Sequence, residues 1–432
     1  MDGHVPVSWS PAPGVRVRWQ RDRRYPTANV RVLVHRRVDD EPAKAAVLAR
    51  TLESACAAWP TRQALAWRLA DLYDAALDVT TESYGGRAAL VASLDWPLAG
   101  VPAPGNALEE GFALLGEVIA EPLREASGAL DAALLARARQ EVLRELASRS
   151  DDKARAATRK AVELSCPDHA ISVAKDGRGP EVAHVDGASV AALHARLLAR
   201  HPIDVHVIGD VTQAAVRRAV LRHLVRRLPA RAGAIEVGRS RRRGPRPHGL
   251  VRRVQEEQVA QTWWAGAWRT PRAPGSVAGL AGEAASGVLG ESGSSLLFQV
   301  AREQDALAYV VGSSWHRDPG LLLIHAGVSE GHEGRLVRRV RSLLTGLAAT
   351  GPDAEHLDAW KQETRERFEG VTDEPAALSR WWTVAEMRGE PLDPRVAVAR
   401  RLDVDARAVR DIVRRLVPAA DVRLRAPQEV PA

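Results

Sequence analysis

Leu48-Ala49-Arg50-Thr51-Leu52-Glu53-Ser54 lies in a run that opens at Pro42, in which Ala45, Leu48, Ala49 and Leu52 recur at helical spacing. The period predicts a helix, and Pro60-Thr61 interrupts it before Leu65, Leu69 and Leu72 begin a second one. Upstream the period is two. Val15-Arg16-Val17-Arg18-Trp19, after the turn Pro11-Ala12-Pro13-Gly14, alternates apolar and basic side chains, so one face meets a core and the arginines are expected in solvent. Asn29 to His35 repeats the alternation. Downstream, Leu77 to Thr80 and Ala88 to Leu94 read as strands around Gly85-Gly86, and Leu108 to Ile119 and Leu134 to Leu146 read as helices. Sheet and helices are segregated and not wound as regular βαβ units, which makes the fold class α+β.

A chain of 432 residues, 45% of them hydrophobic, has material for more than one core, and two large domains are expected. No run of eighteen apolar residues occurs, and Met1 to Arg21 mixes polar and charged residues among Val5, Val7 and Trp9, so a soluble chain without a secretion signal is expected. Cys56 and Cys166 are the only cysteines and form no paired motif, which fits a reducing cytoplasm and excludes a disulfide scaffold. The net charge of +7 is concentrated in part in Arg239 to Arg246, a stretch punctuated by Gly and Pro with no aromatic ladder beside it. A solvated linker accounts for it more simply than a nucleic-acid surface.

The order of elements recurs. Pro167-Asp168 through Val205-His206-Val207-Ile208-Gly209 parallels Pro391-Leu392-Asp393-Pro394 through Asp421-Val422-Arg423-Leu424: a polar start, then Val185-Asp186 or Leu402-Asp403, an amphipathic helix and an alternating strand. Leu135 to Ala147 parallels Leu357 to Phe368, and Asn29 to His35 parallels Val259 to Trp264. Two related domains are expected, at residues 1–228 and 250–432, joined by a basic linker at 229–249. Trp263-Trp264-Ala265-Gly266-Ala267-Trp268 reads as an edge-near strand of the second, its indoles mainly in the core.

Leu48 to Ser54, then Trp59-Pro60-Thr61 and Leu69 to Leu77, together with Val205 to Val211, Glu257 to Gln261 and Gly293 to Tyr309, resemble the pitrilysin/insulinase (M16) metallopeptidase superfamily in order and over most of the chain. Within it the likeness is to the zinc-less subunit of the branch associated with 5-aminopentanol modification of elongation factor P. The resemblance implies a tandem pair of M16-type domains, each with an antiparallel or mixed sheet and segregated helices, forming half of a clam-shell. Active relatives carry His-x-x-Glu-His on a helix and a distant glutamate. Residues four apart share a helical face, so two imidazoles reach one zinc ion while the intervening glutamate activates water. In this sequence those positions fall on Arg50, Glu53 and Ser54, and the distant one on Ala138 to Glu145, with Glu145 or Ala138 as the ligand position. Arg has no lone pair to offer and Ser is a poor ligand, so no metal is expected here, and Arg50 is expected to pair with Glu145 or Glu53.

Arg302 and Tyr309 match a pair that in the superfamily faces the substrate, the guanidinium clamping a carbonyl or carboxylate and the phenol donating to a developing oxyanion. Asp305-Ala306 departs from the basic residue and glycine common between them. The resemblance therefore implies a non-catalytic subunit with no cofactor of its own, a peptide substrate, and zinc in a sibling M16 subunit carrying His-x-x-Glu-His. A homodimeric scaffold and, more weakly, a nucleic-acid binder through Arg239 to Arg246 are the other readings. No membrane partner is expected. The remaining motifs are poor: His201/His206 and His4 lack a third ligand, no Gly-x-Ser-x-Gly elbow occurs, and Gly279 to Gly287 lacks the ending of a phosphate loop.

Overall fold

The structure is a computed structural model that describes residues 5–98, 104–167, 169–237, 249–329 and 331–427. Most of the linker expected at 229–249, with Arg239 to Arg246, lies outside the described residues. The strands are β1 (Val7–Ala12), β2 (Val15–Arg21), β3 (Thr27–Arg37), β4 (Ala76–Tyr84), β5 (Arg87–Pro97), β6 (Ile203–Gly209), β7 (Val251–Glu256), β8 (Thr262–Arg269), β9 (Ala308–His316), β10 (Leu321–Val328) and β11 (Val417–Arg425).

They form two mixed sheets, ordered β1-β2-β6-β3-β5-β4 and β7-β11-β8-β10-β9. Apart from β1 the two orders are the same. In each, the first strand of the half runs parallel to the last, β2 with β6 and β7 with β11, and the other neighbours are antiparallel. The fold is therefore α+β with two related halves. The expected pairing of Val205–Gly209 with Asp421–Leu424 is seen in β6 and β11, and that of Asn29–His35 in β3 and β8, although β8 begins at Thr262.

The helix that precedes the last strand shows where the repeat is tightest. Asp186 caps Gly187–Arg200 by accepting the Ser189 N–H at 2.8 Å, and Asp405 caps Ala406–Val413 by accepting the Ala408 N–H at 2.7 Å. The equivalent of Val185-Asp186 is thus Val404-Asp405 and not Leu402-Asp403. In both halves the pattern is Val-Asp-x-x-x-Val, with both valines buried.

Two compact units result, and neither is continuous in sequence: one comprises 1–146, 173–240 and 370–394, the other 147–172, 241–369 and 395–432. In the first, Val17, Val32, Val205, Val79 and Leu94 face a core closed by the helices Pro42–Ser54, Pro104–Ala120 and Gly187–Arg200. The opposite face is polar and is covered by the helix Pro375–Arg388. Arg18 is buried there, which corrects the expectation that the arginines of β2 meet solvent: a sheet covered on both faces has no solvated side to offer a central strand.

In the second unit one face packs Trp264, Trp268, Leu322 and Ile324 against the helices Ser276–Gly290, Glu333–Thr350 and Ala406–Val413. The other packs Ala265, Ala267, Leu323 and Val422 against Ala157 and Ala161 of the helix Lys153–Ser165. β8 is the central strand of this sheet and not edge-near. Trp264 and Trp268 meet edge to face, ring centres 6.3 Å apart. The glycine-rich stretch Gly279 to Gly287 is helical: Gly282 and Gly287 let the indoles of Trp315 and Trp360 lie directly on the helix, where a methyl group would collide with them.

Candidate functional site

The helix Pro42–Ser54 buries Ala45, Leu48, Ala49 and Leu52, which leaves Arg50 and Glu53 on its partly exposed side. Glu145 comes from the helix Ala132–Asp151 of the same unit. The Arg50 guanidinium spans both carboxylates, donating from Nη1 to Glu53 Oε2 at 2.6 Å and lying with Nη2 2.7 Å from Glu145 Oε1. Ser54 turns inward, its hydroxyl donating to the Arg50 carbonyl at 2.8 Å. Ala138, the other position considered for the distant ligand, is buried in the core.

Burial pushes the Glu53 carboxyl above its ordinary value, with Asp78 and Glu141 adding to the rise and Arg50 opposing it. Burial also works against the charge of Arg50, but Glu53 and Glu145 outweigh it and keep the guanidinium ionised. A fixed cation is thus held between two carboxylates, in the pairing expected for Arg50. Among the described residues no group of three or more His, Cys, Asp or Glu is arranged to hold a metal ion.

The second candidate pair lies in the other unit. Residues Phe298–Gln304 form a π-helical turn, which brings Arg302 over the ring of Phe298, its guanidinium carbon 4.6 Å from the ring centre. The chain then reverses through Ala306, a non-glycine residue at φ 48°, and the Leu307 N–H donates back to the Ala301 carbonyl at 2.8 Å. Asp305 is fixed by Arg339, which donates to it at 2.8 and 3.3 Å.

Tyr309 follows directly, in the first turn of β9. Gly327 of β10 pairs with Val310 and Val328 with Ala308, so Tyr309 is the extra residue of a β-bulge. A bulge leaves its residue out of the ladder and re-aims the side chain. Tyr309 is accordingly 71% exposed, with Val310 beside it exposed as well. The arrangement offers an exposed cation backed by an aromatic ring and an exposed phenol at the head of a strand.

Three features were not legible beforehand. The stacking of Arg302 on Phe298 depends on a π-turn, and the bulge at Tyr309 depends on register with β10. The third is a buried ionic cluster on the polar face of the first sheet. Asp204 accepts from Arg16 Nη2 at 2.7 Å, Arg18 Nη1 at 3.2 Å and His35 Nε2 at 3.0 Å. Glu386 of the covering helix lies 2.7 Å from Arg18. His206 accepts from Arg18 and donates from Nδ1 to Ser379 at 3.0 Å, so it is a satisfied core residue and no ligand. His201 likewise donates to the His35 carbonyl at 2.8 Å. The Val-Arg-Val-Arg of β2 set against Ile-Asp-Val-His of β6 carried the complementary charge pattern, but only the parallel register shows it.

The two halves thus repeat one strand order, with Arg50 held between Glu53 and Glu145 in the first and Arg302 and Tyr309 exposed in the second. Residues 184–364 match the family of the peptidase M16 inactive domain. That match covers less than half of the chain, which is similar to the M16 family over those residues. Curated protein sequences show no match to it.

Solved structures share the fold over nearly the whole chain. A conserved protein from Enterococcus faecalis V583 superposes with a TM-score of 0.88 at 21% identity, over 99% of this chain and 100% of that one. A peptidase M16 inactive domain from Pseudomonas fluorescens gives 0.79 at 18%, over 99% and 100%. The ferredoxin protease FusC, solved as a mutant in complex with Arabidopsis ferredoxin, gives 0.69 at 14%, over 98% of this chain but 45% of its own. No helix among the described residues is long and apolar enough to cross a membrane.

Proposed function

We propose that this chain is the zinc-less subunit of a two-chain M16 peptidase or peptide-processing complex. A sibling chain carries His-x-x-Glu-His with the metal, and this one forms the opposite wall of the substrate chamber. The observation that carries the reading is the Arg50 guanidinium between Glu53 and Glu145: it satisfies the carboxylates electrostatically and leaves no vacancy for a cation, so the helix keeps its place without catalytic capacity. Matching 45% of the FusC chain is consistent with a protein that corresponds to about half of a larger two-part assembly.

Arg302 and Tyr309 are this chain's contribution to substrate. Both are exposed, and both are held by local structure, the ring of Phe298 under one and the bulge of β9 under the other. Arg302 would anchor a carbonyl or carboxylate of the peptide. Tyr309 would donate to the oxyanion that develops beside the partner's zinc. Substrate would be peptide or unfolded protein in extended form, and the site of action the cytoplasm.

The test is reconstitution. The chain purified alone should cleave no peptide, and turnover should appear on mixing with the sibling carrying His-x-x-Glu-His. Strong peptidase activity from this chain alone that survives Glu53→Gln would sink the proposal. A stable homodimer that binds neither sibling nor peptide would favour the scaffold reading instead.

A further inference from the structure

The repeat of one strand order leaves a single edge uneven between the halves. In the first half β2, which runs parallel to the last strand β6, is closed on its other side by β1, an antiparallel partner. In the second half β7 takes the place of β2, parallel to β11, and among the described residues no strand pairs with its other side. Five of its six residues are exposed, Val254 at 48%. An edge left open in this way presents a row of unmet backbone donors and acceptors.

The backbone fixes which residues face outward. The Glu257 N–H donates to the Arg425 carbonyl at 2.9 Å, so the odd-numbered residues of this segment bond to β11. Successive residues of a strand alternate in direction, and the N–H and C=O groups of Arg252, Val254 and Glu256 therefore point away from the sheet. An antiparallel neighbour has to set outward-facing residues against outward-facing ones. With a second copy of the same strand, the register of fullest overlap places Val254 opposite Val254 on a two-fold axis. Arg252 then stands opposite Glu256 of the second copy, twice over, and Arg253 opposite Gln255, so no like charges meet. Arg252 has no carboxylate partner among the described residues, and Glu256 has a distant one, Arg425 at 3.7 Å. A slip of two residues in either direction shortens the ladder and sets Arg252 or Glu256 against Val254, so charge and length select the same register.

We propose that β7 is a self-association edge, on which a second copy of this chain pairs its own β7 antiparallel about Val254 and joins the two five-stranded sheets into one. The interface is isologous, so each Arg252–Glu256 contact is made twice. β9, which carries Tyr309, is the opposite edge of the same sheet, so pairing through β7 does not use the edge of the candidate substrate residues. The inference is independent of the reading of this chain as a peptidase subunit and adds a link between two copies of it. A single strand pair buries far less than the roughly 1,600 Å² of a standard interface, so the dimer is weak, with a dissociation constant on the order of 100 µM.

Sedimentation equilibrium of the full chain between about 10 µM and about 1 mM reads the association directly. Val254→Pro removes an N–H that faces away from β11, so it should abolish the dimer and leave the thermal midpoint, taken at low concentration, unchanged. Arg252→Glu and Glu256→Arg each set like charges opposite one another twice and should weaken association by at least about tenfold. Mixed together, these two single variants regain both opposite-charge contacts and should associate with each other at close to native strength. The double variant should likewise pair with itself. A native chain that stays monomeric throughout, the result if another segment of the chain closes this edge, overturns the inference. So does a dimer indifferent to Val254→Pro, and so do charge variants that fail to complement one another.

Discussion

Arg50 and Glu145 join two helices through a 2.7 Å contact. The guanidinium therefore acts as a fixed internal cation. As isolated, the chain should contain no stoichiometric zinc, checked by elemental analysis. Both residues are partly exposed, so Arg50→Met should cost only about 0.5–1 kcal/mol of stability. One zinc per chain, lost on Glu145→Ala, would reverse the assignment of this position.

Asp204 lies at the other electrostatic extreme. Burial alone would raise its carboxyl, but His35 and Arg16 outweigh that and hold it well below the usual carboxylate range. A depressed folded value means that the stabilisation is fully present above the unfolded value, about pH 3.9, and is lost as pH falls below it. Asp204→Asn leaves buried Arg18 and half-buried Arg16 short of a partner and should cost about 3–5 kcal/mol at neutral pH. In urea titrations of both proteins, the gap measured at neutral pH should narrow by about 1 kcal/mol near pH 3, the first part of a loss that continues at lower pH. A constant gap would show that Asp204 is not the titrating group.

His194 gives a second pH signature, in a different window. Its Nε2–H donates to the Ile119 carbonyl at 2.7 Å while Nδ1 accepts from Arg124 at 3.2 Å, so the proton positions are fixed and the ring is neutral. Burial, with Arg124 helping, lowers its value from 6.5 to about 4. Between those values the unfolded chain takes up a proton that the folded chain refuses, so stability rises with pH across the window. Denaturant midpoints measured from pH 4 to 6.5 should climb more steeply in the native protein than in His194→Gln. Identical slopes would count against it.

How much of this was legible follows from the range of the forces involved. Periods of two and 3.6 are local, so the strands β2 to β6, the helix carrying Arg50 and the α+β class could be read directly from the residues. The motif positions were legible for the same reason, since residues four apart on a helix are neighbours whatever surrounds them. The buried state of Arg18 was not. It depends on Asp204, which is distant in sequence and meets β2 only through parallel pairing, and on Glu386, which arrives on a helix from the other half of the chain. The shift of the cap from Asp403 to Asp405 is a smaller failure of the same kind: two aspartates flank Val404, and only the hydrogen bond to the Ala408 N–H selects the second.

Ala306 provides a test of backbone strain. It sits at φ 48°, a region in which an L side chain costs about 1–2 kcal/mol, and it is exposed, so no packing would be lost with its methyl group. Glycine adopts this conformation freely but costs more entropy on folding. Ala306→Gly should therefore raise stability by a net ~0.5–1 kcal/mol, read as a higher thermal midpoint. A fall would mean that the alanine restrains the turn between Arg302 and Tyr309 at a profit.

Tyr309→Phe asks most of the proposed function. The hydroxyl removed belongs to a side chain that is 71% exposed, in a bulge held by its backbone and not by the phenol. Folding, zinc content of the two-chain complex and subunit pairing should all be unchanged. If the phenol donates to an oxyanion beside the partner's zinc, loss of that donor lowers turnover by about ten- to a thousandfold while the Michaelis constant moves little, because the bond is made mainly in the transition state. Arg302→Ala should behave differently. A guanidinium that captures substrate before reaction raises the Michaelis constant, and Phe298, deprived of the cation above it, loses a contact worth about 0.5–1 kcal/mol at an exposed site. A split between the two kinetic constants is what distinguishes a chemical from a binding role for the pair. If both variants keep full turnover in an intact complex, neither side chain serves the reaction and this subunit is a wall alone.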